Sequence, residues 1–111
     1  MIIHLDEDIF EVVKNGTKTV EVRVNDEKRR KLKVGDRITF LKRSDDIESI
    51  EAIVEELNYY KSFNELIDDY TMDELYLSSY TKEDFLNLLK RFYSDEEIDK
   101  YGTVAIRFRK V

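Results

Sequence analysis

Three alternating segments in the first half of the chain, a run of capped helices, and one last alternating segment predict an α+β fold. The last strand has to return to the early ones, which favours a mixed sheet curling toward a small barrel flanked by helices. With 111 residues, 41% of them hydrophobic and 40% charged, residues 1–111 read as one domain with a core of its own.

Each element has a local reason. Asp6 is placed to cap a first helix, because Ile9, Phe10 and Val13 recur at helical spacing and Asn15-Gly16 suits a left-handed stop. From about Thr19 to Val24 the residues alternate, which predicts a strand. Asn25 to Lys33 reads as a polar connection carrying Lys28-Arg29-Arg30-Lys31, and Gly35-Asp36 as a turn. A second strand follows, with Ile38 and Phe40 alternating against Arg37, Thr39 and Leu41. A third, from about Glu48 to Leu57, puts Ile50, Ala52 and Val54 on one face.

The middle section then turns helical. Ser62 with Glu65, Thr71 with Glu74 and Ser94 with Glu97 fit the capping box, and Thr81 with Asp84 is its shorter-armed version. Phe85, Leu88, Leu89 and Phe92 follow at i, i+3, i+4 and i+7, a stripe expected to face the core. After Tyr101-Gly102, Thr103 to Val111 alternates again as a closing strand.

Composition removes several function classes. Cysteine is absent, and with it disulfides, thiol catalysis and thiolate metal sites. Neither a glycine-rich phosphate loop nor any other cofactor motif is visible, so no cofactor is expected. The sole histidine, His4, lacks a partner at ligand spacing and is expected at the surface or the barrel edge, not on a metal. Asp45-Asp46 and Asp68-Asp69 read as solvated turns or helix ends, and Ser78-Ser79 has no histidine base nearby. Met1-Ile2-Ile3-His4 starts without a basic segment or apolar run, and no apolar stretch has membrane-spanning length. A soluble cytoplasmic protein without membrane contact is the expectation; the oligomeric state is open.

Charge is segregated. The net charge is −6, yet residues 14 to 43 hold 11 Lys/Arg against 4 Asp/Glu, and residues 44 to 100 hold 5 against 17. This suggests one basic edge and one acidic face, unless the two neutralise each other in the fold.

The polar residues of the first strand stand out. Thr19, Glu21 and Arg23 share one face while Val20, Val22 and Val24 share the other. A carboxylate and a guanidinium two positions apart can bond each other and still offer groups to a ligand. By spacing alone a solvated ion pair is the preferred reading, since such pairs are common and weak. Lys18 points away with the valines if it belongs to the strand, and toward Glu21 if the chain is still turning out of Asn15-Gly16. Tyr59 and Tyr60, near the end of the third strand, can stack a base or pack into the core with the hydroxyl at the rim.

Gly16-x-Lys18-x-x-Glu21-x-Arg23 after a short helix, followed by Lys33-Val34-Gly35-Asp36-Arg37-Ile38-Thr39-Phe40, resembles the ASCH domain family of the PUA-like superfamily. The likeness continues at Tyr59-Tyr60-Lys61-Ser62-Phe63, at Phe92-Tyr93-Ser94 and at Tyr101 to Ile106, and so covers nearly the whole chain. It implies a PUA-like small mixed β-barrel flanked by helices, with Lys18, Glu21 and Arg23 on the wall of a cleft. It also implies RNA or a nucleotide-like molecule as the partner.

Small ASCH proteins that act as N4-acetylcytidine amidohydrolases are similar over the same motif. They use a lysine, a threonine three residues later as nucleophile, and a glutamate from the helical section. Lys18 matches the lysine and Arg23 a nearby arginine, but the nucleophile position holds Glu21. Glu65, Glu74 and Glu83 are all candidates for the helical glutamate. The expectation is therefore a binding cleft lined by Lys18, Glu21 and Arg23, with Lys28, Arg29 and Arg30 facing phosphates and Tyr59 stacking. A hydrolase using Lys18 and Glu21 is the first alternative; a protein-interaction module presenting the acidic helical face is the second.

Overall fold

The computed structural model describes residues 1–45 and 47–111; Asp46, half of the acidic pair noted above, lies outside the described residues. Five strands form one curled, half-barrel sheet: β1 (Ile2–Leu5), β2 (Val20–Val24), β3 (Arg37–Lys42), β4 (Ser49–Tyr60) and β5 (Thr103–Lys110). Their spatial order is β1-β3-β4-β5-β2. The closing strand does return, seating itself between β4 and β2 with Val22 opposite Ala105 and Leu57 opposite Ile106. Only β1 and β3 run parallel, so the sheet is mixed and its two edges are β1 and β2.

Among the described residues six helices accompany it: α1 (Glu7–Lys14), α2 (Glu27–Arg30), α3 (Phe63–Ile67), α4 (Met72–Leu75), α5 (Lys82–Phe92) and α6 (Asp95–Tyr101). Alternation gives the sheet an apolar cluster on each face. On one, Ile38, Phe40, Val54, Ile106 and Phe108 pack with Ile9, Phe10 and Val13 of α1. On the other, Val20, Val22 and Val24 meet Phe63 and Leu66 of α3, Leu75 of α4, and Phe85 and Leu89 of α5. Each such side chain contributes about 1.5–3 kcal/mol by leaving water, so the position of the helices over β2 is set by apolar burial.

Several expectations are corrected. β1 was not anticipated: it is only four residues long, and its alternation is confined to buried Ile3 and Leu5 against exposed Ile2 and His4. The polar connection contains α2, a single turn with no buried residue, started by the Asp26 side chain accepting from the Arg29 N–H. β4 continues to Tyr60 past a register shift between Val54 and Glu56. Asp6 occupies the N-cap position of α1, but its side chain accepts no cap hydrogen bond. Ser62 accepts from the Glu65 N–H without the reciprocal bond, whereas Thr71, Thr81 and Ser94 form complete capping boxes. The α5 stripe is only partly buried: Phe85 and Leu89 are in the core, Leu88 is half-buried and Phe92 is 67% exposed. The reason is that α5 covers a cavity as well as a core, and its last turn reaches the cavity's rim.

Candidate functional site

The two sheet edges do not pair with each other, and the gap between them is a cavity of about 390 Å³. His4 and Leu5 of β1 stand on one side and Glu21, Val22 and Arg23 of β2 on the other. Phe85, Leu89 and Phe92 of α5, with Tyr76 and Tyr93, supply apolar and aromatic surface.

Lys18 lies just before β2, where the chain leaves the turn at Asn15-Gly16, and its side chain swings toward Glu21. Only 2% of the residue is exposed, so its ammonium must find acceptors within the protein. Nζ donates to the Val20 carbonyl at 2.5 Å and the Leu75 carbonyl at 2.6 Å, and stands 3.3 Å from Glu21 Oε1. Two of the ammonium's donors are thereby bonded to backbone carbonyls, and the ion pair with Glu21 balances its charge. Burial lowers its pKa from the ordinary lysine value, against the opposing pull of Glu21.

Glu21 Oε1 also accepts from the Val22 N–H at 3.3 Å, while Oε2 accepts from Arg23 Nη2 at 2.8 Å. Burial pushes the Glu21 carboxyl up, but Lys18 and Arg23 outweigh it and hold the pKa at about 2. Arg23 is raised by Glu21 in return, and the Tyr93 hydroxyl adds to the effect. Its Nε is buried without a hydrogen-bond partner, yet 24% of its side chain stays exposed on the cavity wall. Lys18 and Glu21 also take up a carbonyl and an N–H of edge strand β2, which quiets an edge otherwise open to pairing.

Lys18, Glu21 and Arg23 are thus brought together on one concave wall, and the remaining predicted residues are not. Arg30 donates to the carbonyls of Asn25 and Tyr101 and lies over the Tyr101 ring. Lys28 faces a separate hollow shared with Lys31 and Arg37, and Arg29 belongs to the same outlying turn of α2. Tyr59 is 57% exposed opposite Val104 in β5, outside the cavity wall. Its neighbour Tyr60 packs toward the helices, donating its hydroxyl proton to Asp69 at 2.7 Å.

Sequence reasoning missed the far wall. Asp6 was visible only as a cap and His4 only as an isolated histidine, while Arg43, just past β3, entered only as the last cation of the basic segment 14–43. Tyr93 sat in a noted motif without an assigned role.

Lys18 and Arg23 hold the Glu21 carboxyl well below the usual carboxylate range, and the Lys18 ammonium beside it donates to two backbone carbonyls. None of Glu65, Glu74 and Glu83 lines the cavity; Glu74 instead pairs with Arg107 at 2.9 Å. Among the described residues no three His, Cys, Asp or Glu side chains gather to hold a metal ion.

The profile of the ASCH domain matches residues 3–111, almost the full chain. The chain belongs to the ASCH domain family. ASCH domains, part of the PUA-like superfamily, are generally thought to bind RNA. The ASCH fold seen here is similar to the crystal structure of hypothetical protein PH0355, with a TM-score of 0.85, 31% identity and coverage of 99% of this chain and 97% of that one. It is also similar to the solution structure of PF0455 from Pyrococcus furiosus, with a TM-score of 0.74, 26% identity and coverage of 100% and 98%. A ZmASCH mutant protein from Zymomonas mobilis shares the fold at 19% identity, with a TM-score of 0.60 and coverage of 97% of this chain and 66% of that one. No curated protein matches this ASCH chain. Among its described residues no helix is long and apolar enough to cross a membrane.

Proposed function

We propose that this ASCH domain binds RNA or a nucleotide-like ligand in the cavity between β1 and β2. Arg23 meets the ligand, Glu21 aims Arg23, and Lys18 anchors Glu21. One observation carries this reading: a partly exposed guanidinium, fixed by a buried ionised carboxylate, stands on the wall of a cavity lined by aromatic rings. Fixing a donor before binding removes an entropic cost from the complex. The cavity volume falls within the range of about 300–1,000 Å³ usual for small-molecule pockets. The guanidinium suits a base carbonyl or ring nitrogen, and the aromatic side chains suit the base plane.

In this reading Lys28, Arg29, Arg30 and Tyr59 act outside the cavity, on RNA that flanks the bound unit. Calorimetric titration with adenosine, guanosine, cytidine, uridine, N4-acetylcytidine and a short single-stranded RNA tests the proposal. Binding of at least one probe should weaken about tenfold or more in Arg23→Gln, the loss of a charge-assisted hydrogen bond. Equal affinities in the two proteins would remove Arg23 from the site.

A further inference from the structure

We propose that Arg43, at the mouth of the cavity, reads a phosphate group, so that the cavity takes a nucleotide, base inward, in preference to a bare nucleoside. This rests on the nucleotide-binding reading above. The charged residues on the wall are Lys18, Arg23 and Arg43 against Glu21 and Asp6, a local excess of one positive charge in a chain of net charge −6. They lie in two layers. Lys18 and Glu21 are buried with Arg23 beside them, whereas the Arg43 and Asp6 side chains are 66% and 65% exposed. A phosphate keeps part of its hydration at the outer layer, and an uncharged base loses little by entering the inner one.

Asp6 supplies an independent observation. At the other five helix starts among the described residues a side chain, from Asp26, Ser62, Thr71, Thr81 or Ser94, accepts the backbone N–H three residues on. Asp6 has the right residue type and position and caps nothing. Its Oδ1 instead forms an ion pair with Arg43 Nε at 3.0 Å. Arg43 Nη2 reaches the His4 carbonyl at 3.3 Å, and the Arg43 N–H donates to the Leu5 carbonyl at 2.8 Å, which pins the residue to the β1 edge. An exposed pair of this kind is weak, because water screens it. A phosphate monoester, carrying about −1.5 to −2 charges at pH 7, therefore outcompetes the Asp6 carboxylate for the guanidinium. Asp6 acts as a stand-in anion that keeps Arg43 at the mouth until the phosphate arrives.

The test is the affinity of each 5′-monophosphate relative to its own nucleoside, for adenosine, guanosine, cytidine and uridine, at low salt. The native protein should favour at least one monophosphate about tenfold, the equivalent of one charge-assisted contact. Arg43→Gln should bring that ratio close to one, and Asp6→Asn should raise it. Both side chains are mostly exposed, and unchanged far-UV circular dichroism checks that the variants fold. A ratio near one in the native protein, or one indifferent to Arg43→Gln, overturns the assignment while leaving the binding reading intact. If neither nucleosides nor monophosphates bind, both fall. A trinucleotide tested beside the monophosphates identifies the source: tighter binding that still depends on Arg43 assigns the phosphate to an RNA strand, and weaker binding assigns it to a free nucleotide.

Discussion

Glu21 is where charge, burial and sequence position meet. It is the middle of a three-residue relay in which each charge is needed to keep another out of water. Glu21→Gln leaves a buried ammonium and a half-buried guanidinium without their shared counter-ion, which should cost about 3 kcal/mol of stability at pH 7. Glu27→Gln, on the exposed turn α2, should be nearly silent. The pH dependence has a definite sign. The Glu21 pKa falls from 4.5 to about 2 on folding, so its contribution is complete above pH 4.5 and is lost as the pH drops toward 2. Denaturant titrations of the native protein and Glu21→Gln at several pH values should therefore give a difference that is constant above pH 5 and shrinks toward pH 2. A gap independent of pH would mean that Glu21 contributes through packing, not ionisation.

At the scale of elements, α6 hands the chain to β5 through Gly102, and this joint places the closing strand. Gly102 has φ of +70°, and a Cβ there would lie 2.9 Å from the Tyr60 carbonyl oxygen. Thr103, the next residue, donates its hydroxyl to the carbonyls of Tyr60 and Ser62. Gly102→Ala should destabilise the domain by about 2 kcal/mol or more, combining an unfavourable backbone conformation with a steric contact. Thermal unfolding would show it; an unchanged midpoint would mean that β4 and β5 shift without cost. Elements with long periodic patterns, such as β5 and α5, were readable because burial dictates their residue types at a fixed period. β1 and α2 are too short for a period to be seen. Phe92 was assigned to the core because a helix stripe does not reveal where the sheet beneath it stops.

For the whole molecule, the charge segregation read from sequence is partly cancelled by folding. Lys42 meets Glu11 and Glu48, Lys14 also meets Glu48, and Arg107 meets Glu74 and Glu56. What stays concentrated is the α2 region, where Lys28, Lys31 and Arg37 border one hollow. If flanking RNA lies there, affinity for a short RNA should fall steeply with salt, and neutralising Lys28, Arg29 and Arg30 together should flatten that slope by two to three contacts. Nucleoside affinity at the cavity should not follow. Filter-binding curves over a salt series decide it, and an unchanged slope in the folded triple variant would exclude α2. The inner wall of the site was legible because its residues cluster in one strand. The outer wall, from His4, Asp6 and Arg43, exists only once β1 pairs with β3, which no local pattern announces.

The unpaired β2 edge has a consequence for the company the protein keeps. Lys18 occupies the Val20 carbonyl and Glu21 the Val22 N–H, so two outward-facing backbone groups are answered from within the chain. A partner strand reaching those two groups would have to displace the Lys18 and Glu21 side chains from them. The same residues proposed to prepare the cavity for a ligand therefore also shield part of an edge strand. Without Lys18 the Val20 carbonyl would lose that internal donor and stand open on an edge strand.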